Sequence, residues 1–221
     1  MSTWKIMSAR GGGALFMAAI VIMALAMILA QAYYPCGPNG CYNVLTNPIS
    51  DLGNTVASPL WPLFDYALAL FGVLVILGIF LLSASIFSGF GGRASGILLS
   101  ISALAAIGVG VVPENTIPIL HSLFSLMAFF FGGVGVLIIG IWLLFEKGFT
   151  AHSAYSILSA VVSLGALLVS FFPAFGILPI WKYYGPGFGY GGIERLVVFT
   201  LFAWVFITGA LSAFGAPRIK K

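Results

Sequence analysis

Long apolar runs separated by short polar segments dominate the chain. Six of these runs have about the length that a membrane-spanning α-helix needs, which is roughly 20 predominantly apolar residues. They lie at approximately residues 14–34, 61–86, 95–112, 118–145, 153–172 and 193–214. None alternates between polar and apolar positions as the strands of a membrane β-barrel do. The pattern predicts an all-α fold, a polytopic membrane helix bundle in which residues 1–221 form a single domain with six transmembrane helices.

The composition indicates that most of the surface faces lipid. Of the 221 residues, 61% are hydrophobic and 6% are charged, whereas about 25% of the residues in soluble domains are charged. Nine basic and five acidic side chains are too few to cover a water-soluble particle of this size. We therefore expect membrane lipids as partners and no nucleic acid, and leave open a membrane protein partner or a homo-oligomer.

The basic residues predict the orientation of the bundle. Seven of the nine fall on one side of the predicted membrane: Lys5, Arg10, Arg93, Lys147, Arg218, Lys220 and Lys221. Because cytoplasmic segments carry an excess of Lys and Arg, this side is predicted to be cytoplasmic. The expected location is the cell membrane, with both termini in the cytoplasm. Four of the five acids then lie on the outer face.

The first apolar run has two interpretations. Lys5 and Arg10 precede it and Ala30-Gln31-Ala32 ends it, as in a cleavable signal peptide. The apolar part is longer than a usual signal core, so we expect an uncleaved helix. Each odd-numbered run ends outside in two bulky residues and a proline, which predicts three helical hairpins. Chance similarity between helix ends is the alternative.

Two outer loops have distinctive compositions. In the first, the only two cysteines, Cys36 and Cys41, flank a short turn. Since this loop lies outside the reducing cytosol, we expect a structural disulfide, with free thiols or metal ligation as the alternatives. The third outer loop, residues 173–192, is rich in glycine and aromatic residues. That composition is typical of an interfacial anchor, or of a flexible lid over a lipid headgroup.

Polar residues collect at the outer ends of the predicted helices: Asn47, Ser50, Asp51, Asp65, Glu114, His121, Glu194 and Arg195. An ionisable group at a membrane helix indicates function, because its desolvation is costly. Acids at outward-facing helix N-termini are also favoured by the helix dipole, which gives Asp65 and Glu194 a structural explanation. A cation there opposes the dipole. We therefore expect Arg195 to have an anionic partner, such as Asp51, Glu114 or a lipid phosphate.

His121 is the central residue of the predicted chemistry. It is a candidate general base, with Ser50 or an activated water as nucleophile and one of the acids, such as Asp51, completing a hydrolytic triad. The alternative is a hydrogen-bonded histidine at the membrane interface. With Asp51, Glu114 and Glu194 it can alternatively ligate a divalent metal, although the spacing gives this no support. No diagnostic enzyme motif is present, and no cofactor is predicted. The candidate ligand-binding residues are Arg195, Glu194, Glu114, Asp65 and Asn47.

Several of these positions carry a family resemblance. Asn-Pro-Ile-Ser-Asp-Leu-Gly at 47–53, a proline at 113, His-Ser-Leu-Phe-Ser at 121–125 and Gly-Ile-Glu-Arg-Leu at 192–196 resemble the membrane family known as domain of unknown function 998. The resemblance covers nearly the whole chain and implies a prokaryotic multi-helix membrane protein with no settled activity. A fainter likeness, Pro-x-Ser before the second run, is to Frag1/DRAM-like membrane proteins, some of which act in lipid-anchor processing. The polar positions of the family pattern correspond to Ser50, Asp51, His121, Glu194 and Arg195.

The sequence thus predicts an integral membrane protein with an extracytoplasmic polar pocket for a lipid headgroup or other anionic amphiphile. The alternative is a membrane-embedded lipid-modifying hydrolase or transferase that uses His121. A transporter is less favoured, because no charged residue falls near the middle of a span. Whether the protein is an enzyme is left open.

Overall fold

Six α-helices make up the bundle. A computed structural model describes residues 3–36, 41–147, 150–170 and 189–215. All six helices are long and apolar enough to cross a membrane, and the described residues contain no strand, which confirms the predicted fold class. Most of the third outer loop and the basic residues after 215 lie outside the described residues. The helices are α1 (Thr3–Ala32), α2 (Trp61–Leu82), α3 (Gly89–Val111), α4 (Pro118–Lys147), α5 (Ala151–Ser170) and α6 (Tyr190–Phe214).

The helix ends differ from the apolar runs by a few to about ten residues. α1 begins at Thr3 rather than near residue 14, and α3 begins at Gly89 rather than near 95. Helical hydrogen bonding does not stop where the side chains become polar, so helices continue past the apolar part of a span. α2 is shorter than its run because turns follow Leu82. The apolar runs therefore located the spans but not the ends of the helices.

The helices pack in chain order and form a closed arrangement. Each helix contacts the next along the chain, α6 returns to α1, and α4 also touches α6. α1 belongs to the core, since Phe16 and Met23 are almost completely buried. Every helix packs against a neighbour on both sides, so the packing does not separate three hairpins. That grouping stays a prediction.

Glycines allow two helix pairs to come unusually close. A Cβ atom at Gly13 would overlap the carbonyl oxygen of Gly209, and one at Gly110 would overlap that of Asp65. Between helices in lipid there is little hydrophobic driving force, so close backbone packing of this kind contributes much of the association. These contacts join α1 to α6 and α3 to α2.

The first outer loop crosses the outer end of the bundle. Cys36 and Cys41 form a disulfide, which confirms the predicted pairing. Further along, Ile49–Gly53 forms one turn of 3₁₀ helix with Leu52 fully buried. This turn packs against α1, α2 and α6. It thereby places Ser50 at the inner cavity described below.

Candidate functional site

The start of α6 holds the first outer loop. The carbonyl oxygen of Leu45 accepts hydrogen bonds from the N–H groups of Gly189 and Gly192, each 2.9 Å long. These donors lie at the helix start, where N–H groups have no partner within the helix. Gly191 permits the approach, because a Cβ atom there would overlap the carbonyl oxygen of Asn47. We call residues 45–51 the docking segment.

The Arg195 side chain holds the docking segment by hydrogen bonds. Its Nη1 donates to the carbonyl oxygens of Asn47 at 2.8 Å and Gly191 at 2.9 Å, and its Nη2 donates to the Tyr42 hydroxyl at 2.6 Å. The Tyr42 hydroxyl in turn donates to the carbonyl oxygen of Pro48 at 2.8 Å. All three acceptors of the guanidinium are neutral. In the described part of the chain, the predicted anionic partner of Arg195 is therefore not a direct contact.

Glu194 and Arg195 point in different directions from α6. The Glu194 carboxylate accepts a hydrogen bond from the N–H of Ile49 and faces cavities inside the bundle. Arg195 lines a groove between α5 and α6 together with Tyr155 and Phe199. Consecutive residues of an α-helix are about 100° apart, because a turn takes 3.6 residues. The two charged neighbours therefore belong to different environments.

Asp51 and Glu114 form a pair of carboxyl groups. Asp51 Oδ2 accepts from Asn47 Nδ2 at 2.9 Å, and Glu114 Oε1 accepts from Asn54 Nδ2 at 3.0 Å. Burial raises the pKa of Asp51, and the charge and hydrogen bond of Glu114 raise it further; Asn47 and Arg195 oppose the shift. Two carboxyl groups that interact in this way favour keeping a proton on one of them.

His121 lies in the first turn of α4 with 7% of its surface exposed. Its Nδ1 is 2.7 Å from the carbonyl oxygen of Val112. A carbonyl only accepts, so Nδ1 carries a proton, and in the neutral imidazole Nε2 then holds a lone pair. In the described part of the chain, the buried Nε2 has no hydrogen-bond partner. A backbone carbonyl, rather than the predicted Asp51, thus orients the imidazole.

An apolar cavity of about 110 Å³ lies inside the bundle. Its lining comes from α1 to α4, from α6 and from the 3₁₀ turn, while α5 packs outside it against α4 and α6. The polar residues at its outer end are Ser50, His121 and Glu194, which we call the polar junction. Most of the remaining lining is aliphatic or aromatic, including Met27, Phe64, Phe71, Val136, Phe202 and Trp204.

A second cavity of about 540 Å³ lies between the outer parts of α4, α5 and α6. It is lined by the whole polar junction, by Glu114 and by residues such as Leu167 of α5. Ser125 and Phe129 also line both cavities. Among the residues that the structure describes, no Lys or Arg lines either cavity. The polar junction is therefore the boundary between an apolar interior and an acidic outer cavity.

Asp65 and Asn47 contact other parts of the protein and lie away from these two cavities. Asp65 is 2% exposed, and its Oδ2 has no hydrogen-bond partner within the described ranges. A Cβ atom at Gly53 would overlap its other carboxyl oxygen, so Asp65 packs directly beneath the 3₁₀ turn. Asn47 belongs to the docking segment. Neither residue lines the two cavities around the polar junction.

The predicted acids and His121 do not gather around one point. Among residues 3–36, 41–147, 150–170 and 189–215, no group of three or more His, Cys, Asp or Glu side chains is arranged to hold a metal ion. Asp51 is turned towards Asn47, and Glu194 towards Ile49. The alternative of a divalent metal on His121, Asp51, Glu114 and Glu194 gains no support from this arrangement.

Comparison with known families identifies the chain. The family model described as Protein of unknown function (DUF998) matches residues 12–211. The chain belongs to this family. The matched range contains the docking segment and the polar junction, and it confirms the resemblance that those segments carry. The likeness of this DUF998 protein to Frag1/DRAM-like proteins stays a prediction. No curated protein and no solved structure matches the chain.

Two groups in the DUF998 site were not predicted from the sequence. One is Tyr42, whose pKa is raised to about 12, mainly by burial and against the effect of Arg195. Its hydroxyl therefore stays protonated and can donate to Pro48. The position of Tyr42 directly after Cys41 is the sequence feature that could have indicated a role in this loop. The other is the carbonyl of Val112, which no side-chain pattern could have indicated because every residue has a carbonyl.

Proposed function

We propose that this DUF998 protein binds a membrane amphiphile, with the apolar chain in the inner cavity and the polar head at the polar junction. The observation that carries the proposal is that Ser50, His121 and Glu194 line both cavities. One end of an otherwise apolar interior is thus polar. We further propose that the protein lies in the cell membrane with both termini in the cytoplasm, which the distribution of basic residues supports.

Physical chemistry favours hydrocarbon as the content of the inner cavity. Protein interiors contain few voids larger than a water molecule, and apolar cavities of about 150 Å³ stay dry and bind small apolar molecules. A lipid chain that enters from the bilayer leaves one apolar medium for another and gains dispersion contacts with the walls. The polar head then determines where the molecule stops.

The second cavity supports a route from the outer leaflet. It lies between α4, α5 and α6 and reaches the polar junction from the side. Two of its lining residues, Ile119 and Leu123, are 86% and 50% exposed, as expected of side chains that face lipid. An amphiphile that enters here can place its chain against these apolar side chains while its head lies at the polar residues of the cavity.

Filling the inner cavity tests the proposal. Ala106 lines it and is buried, so Ala106→Leu should occupy the space of the chain. The matched control is Ala14→Leu, because Ala14 is exposed on α1 and lines neither cavity. We expect mass spectrometry of purified protein to find an amphiphile with the wild type and the control, and at least a several-fold smaller amount with Ala106→Leu. Equal amounts in all three proteins would contradict the proposal.

A second candidate function is a lipid-modifying hydrolase or transferase. The observation that favours it is that Nε2 of His121 has no partner in the described residues and that His121 lines the same cavities as Ser50. This nitrogen could take the proton of the Ser50 hydroxyl or of a water molecule as the oxygen attacks an ester carbonyl. Ser50 makes no hydrogen bond to Nε2 in this structure, which is why binding is the first proposal.

His121→Gln separates the two functions. Cells that rely on an enzyme should accumulate its unmodified substrate in this variant, whereas a binding protein turns over no lipid and should leave the lipid profile of the cells unchanged even where its own affinity falls. Lipid profiles of cells with wild-type protein, with the variant and without the gene make the comparison. Identical profiles in all three would exclude the enzyme.

A further inference from the structure

The polar junction offers hydrogen-bond acceptors. The Nε2 lone pair of His121 has no partner in the described residues although His121 is more than nine-tenths buried. Because Nδ1 donates to the carbonyl oxygen of Val112, the neutral imidazole presents Nε2 as an acceptor. An unfilled acceptor in a buried site costs free energy as well, so a ligand that donates to it gains affinity.

The charges around the junction disfavour an anionic head. Glu194 and Glu114 line the second cavity, and Arg195 directs its hydrogen bonds to the docking segment and to its own helix. Within the described part of the chain, no basic side chain lines either cavity to balance a phosphate or a carboxylate. A repulsive element of this kind is how sites reject a wrong ligand.

An ammonium head could pair with Glu194 or Glu114 in the second cavity, but it would also have to leave water for a largely apolar site. Moving an ion out of water costs far more than moving a hydroxyl group, whose cost is a few kcal/mol without a partner and is offset by one good hydrogen bond. The hydroxyl groups of Ser50 and Ser125 line both cavities and can bond to further hydroxyls. A neutral head with at least one hydroxyl group fits these requirements.

We propose that the amphiphile is a neutral lipid with a hydroxyl headgroup, such as a long-chain alcohol or a glycerol monoester, and that its hydroxyl donates a hydrogen bond to Nε2 of His121. This inference rests on the proposed function and adds the chemical class of the ligand. It differs from the predicted anionic amphiphile because Arg195, the residue behind that prediction, faces away from the cavities.

The test uses full-length protein in nanodiscs of phosphatidylcholine, a lipid whose head has no N–H or O–H donor. The probes share one chain: dodecanol, dodecyl methyl ether, dodecyl phosphate and dodecylamine. Binding is measured by native mass spectrometry or by the thermal shift. We expect dodecanol to bind about tenfold more tightly than the ether, a ratio equivalent to about 1.4 kcal/mol. The phosphate and the amine should bind more weakly than the alcohol.

His121→Leu completes a cycle of ligand and residue. If the hydroxyl donates to His121, the preference for dodecanol over the ether should disappear in this variant. Equal binding of alcohol and ether by the wild type, a tighter phosphate or amine, or a preference that survives in His121→Leu would overturn the inference and leave the proposed function standing. Failure of every probe to bind would overturn both. The wild-type comparison alone is decisive if the variant does not fold.

Discussion

Asp51 shows how a polar residue of this site can be structural and still respond to pH. It accepts a hydrogen bond from Asn47 and shares another with Glu114, while lining neither cavity. Burial and the neighbouring carboxyl raise its pKa above the ordinary value of 3.8. The folded protein therefore binds this proton more tightly than the unfolded chain does.

The sign of the pH effect follows from linkage. Because the pKa of Asp51 is raised in the folded protein, protonated Asp51 adds to the free energy of unfolding. This contribution is fully present below pH 3.8 and is lost as the pH rises through the folded pKa. Asp51→Asn keeps an acceptor for Asn47 and a donor for Glu114 without the charge. We expect its thermal midpoint in detergent to exceed that of the wild type by a few degrees at pH 8 and to match it near pH 4.

Glu146→Gln is the control for this experiment. Glu146 is exposed at the other end of α4, so the substitution changes the net charge equally without touching the carboxyl pair. A rise at pH 8 of the same size in Glu146→Gln would assign the effect to net charge rather than to Asp51.

At the scale of elements, the contact between the docking segment and α6 is the most specific feature of the fold. Two helix-start N–H groups bond to Leu45, and Gly191 provides the space for Asn47. A methyl group at Gly191 would have to displace the backbone rather than a flexible side chain. Overpacking of this kind typically costs about 1–3 kcal/mol.

Gly191→Ala should therefore lower the free energy of unfolding by about 1–3 kcal/mol, measured as a lower thermal midpoint. The matched control is Gly165→Ala in α5, where a Cβ atom would meet nothing within 4 Å. Alanine is the better helix former by up to about 1 kcal/mol, so the control should be neutral or stabilised. A Gly191→Ala protein as stable as this control would show that the docking segment adjusts freely.

The apolar runs of the sequence predict the number of helices, because a helix needs about 20 apolar residues to span the membrane. They do not predict where a helix begins, because α1 begins at Thr3 and α3 at Gly89, several residues before the apolar runs start. The candidate site was predicted in part. Ser50, His121 and Glu194 line the same two cavities, whereas the direction of Arg195 depends on the rotation of α6, which the sequence does not indicate. The partner of His121 is a backbone carbonyl and has no sequence signal.

At the scale of the whole molecule, the orientation of the bundle determines which side of the membrane the polar junction faces. His121 and Glu194 lie near the starts of α4 and α6, at the end of the bundle that also holds the disulfide loop. The positive-inside rule predicts that this end lies outside the cytoplasm.

Reporter fusions test that orientation. A fluorescent protein fused to the C-terminus should be bright, and alkaline phosphatase fused there should be inactive, because the first folds in the cytoplasm and the second needs an oxidising compartment for its disulfides. Phosphatase inserted at residue 39, in the first outer loop, should be active. The reverse pattern would put the polar junction in the cytoplasm and make the disulfide difficult to maintain.

The bond between the docking segment and α6 also determines when the site can form. Ser50 comes from the first loop, His121 from α4 and Glu194 from the last helix. The hydrogen bond that joins the first loop to the last helix, from Ile49 to Glu194, connects residues 145 apart in the chain. Closing such a long loop comes late in folding, because its entropy must be lost before the contact is gained. During membrane insertion, five helices can be in place while the polar junction does not yet exist. A chain truncated before α6 would be a membrane protein without a site.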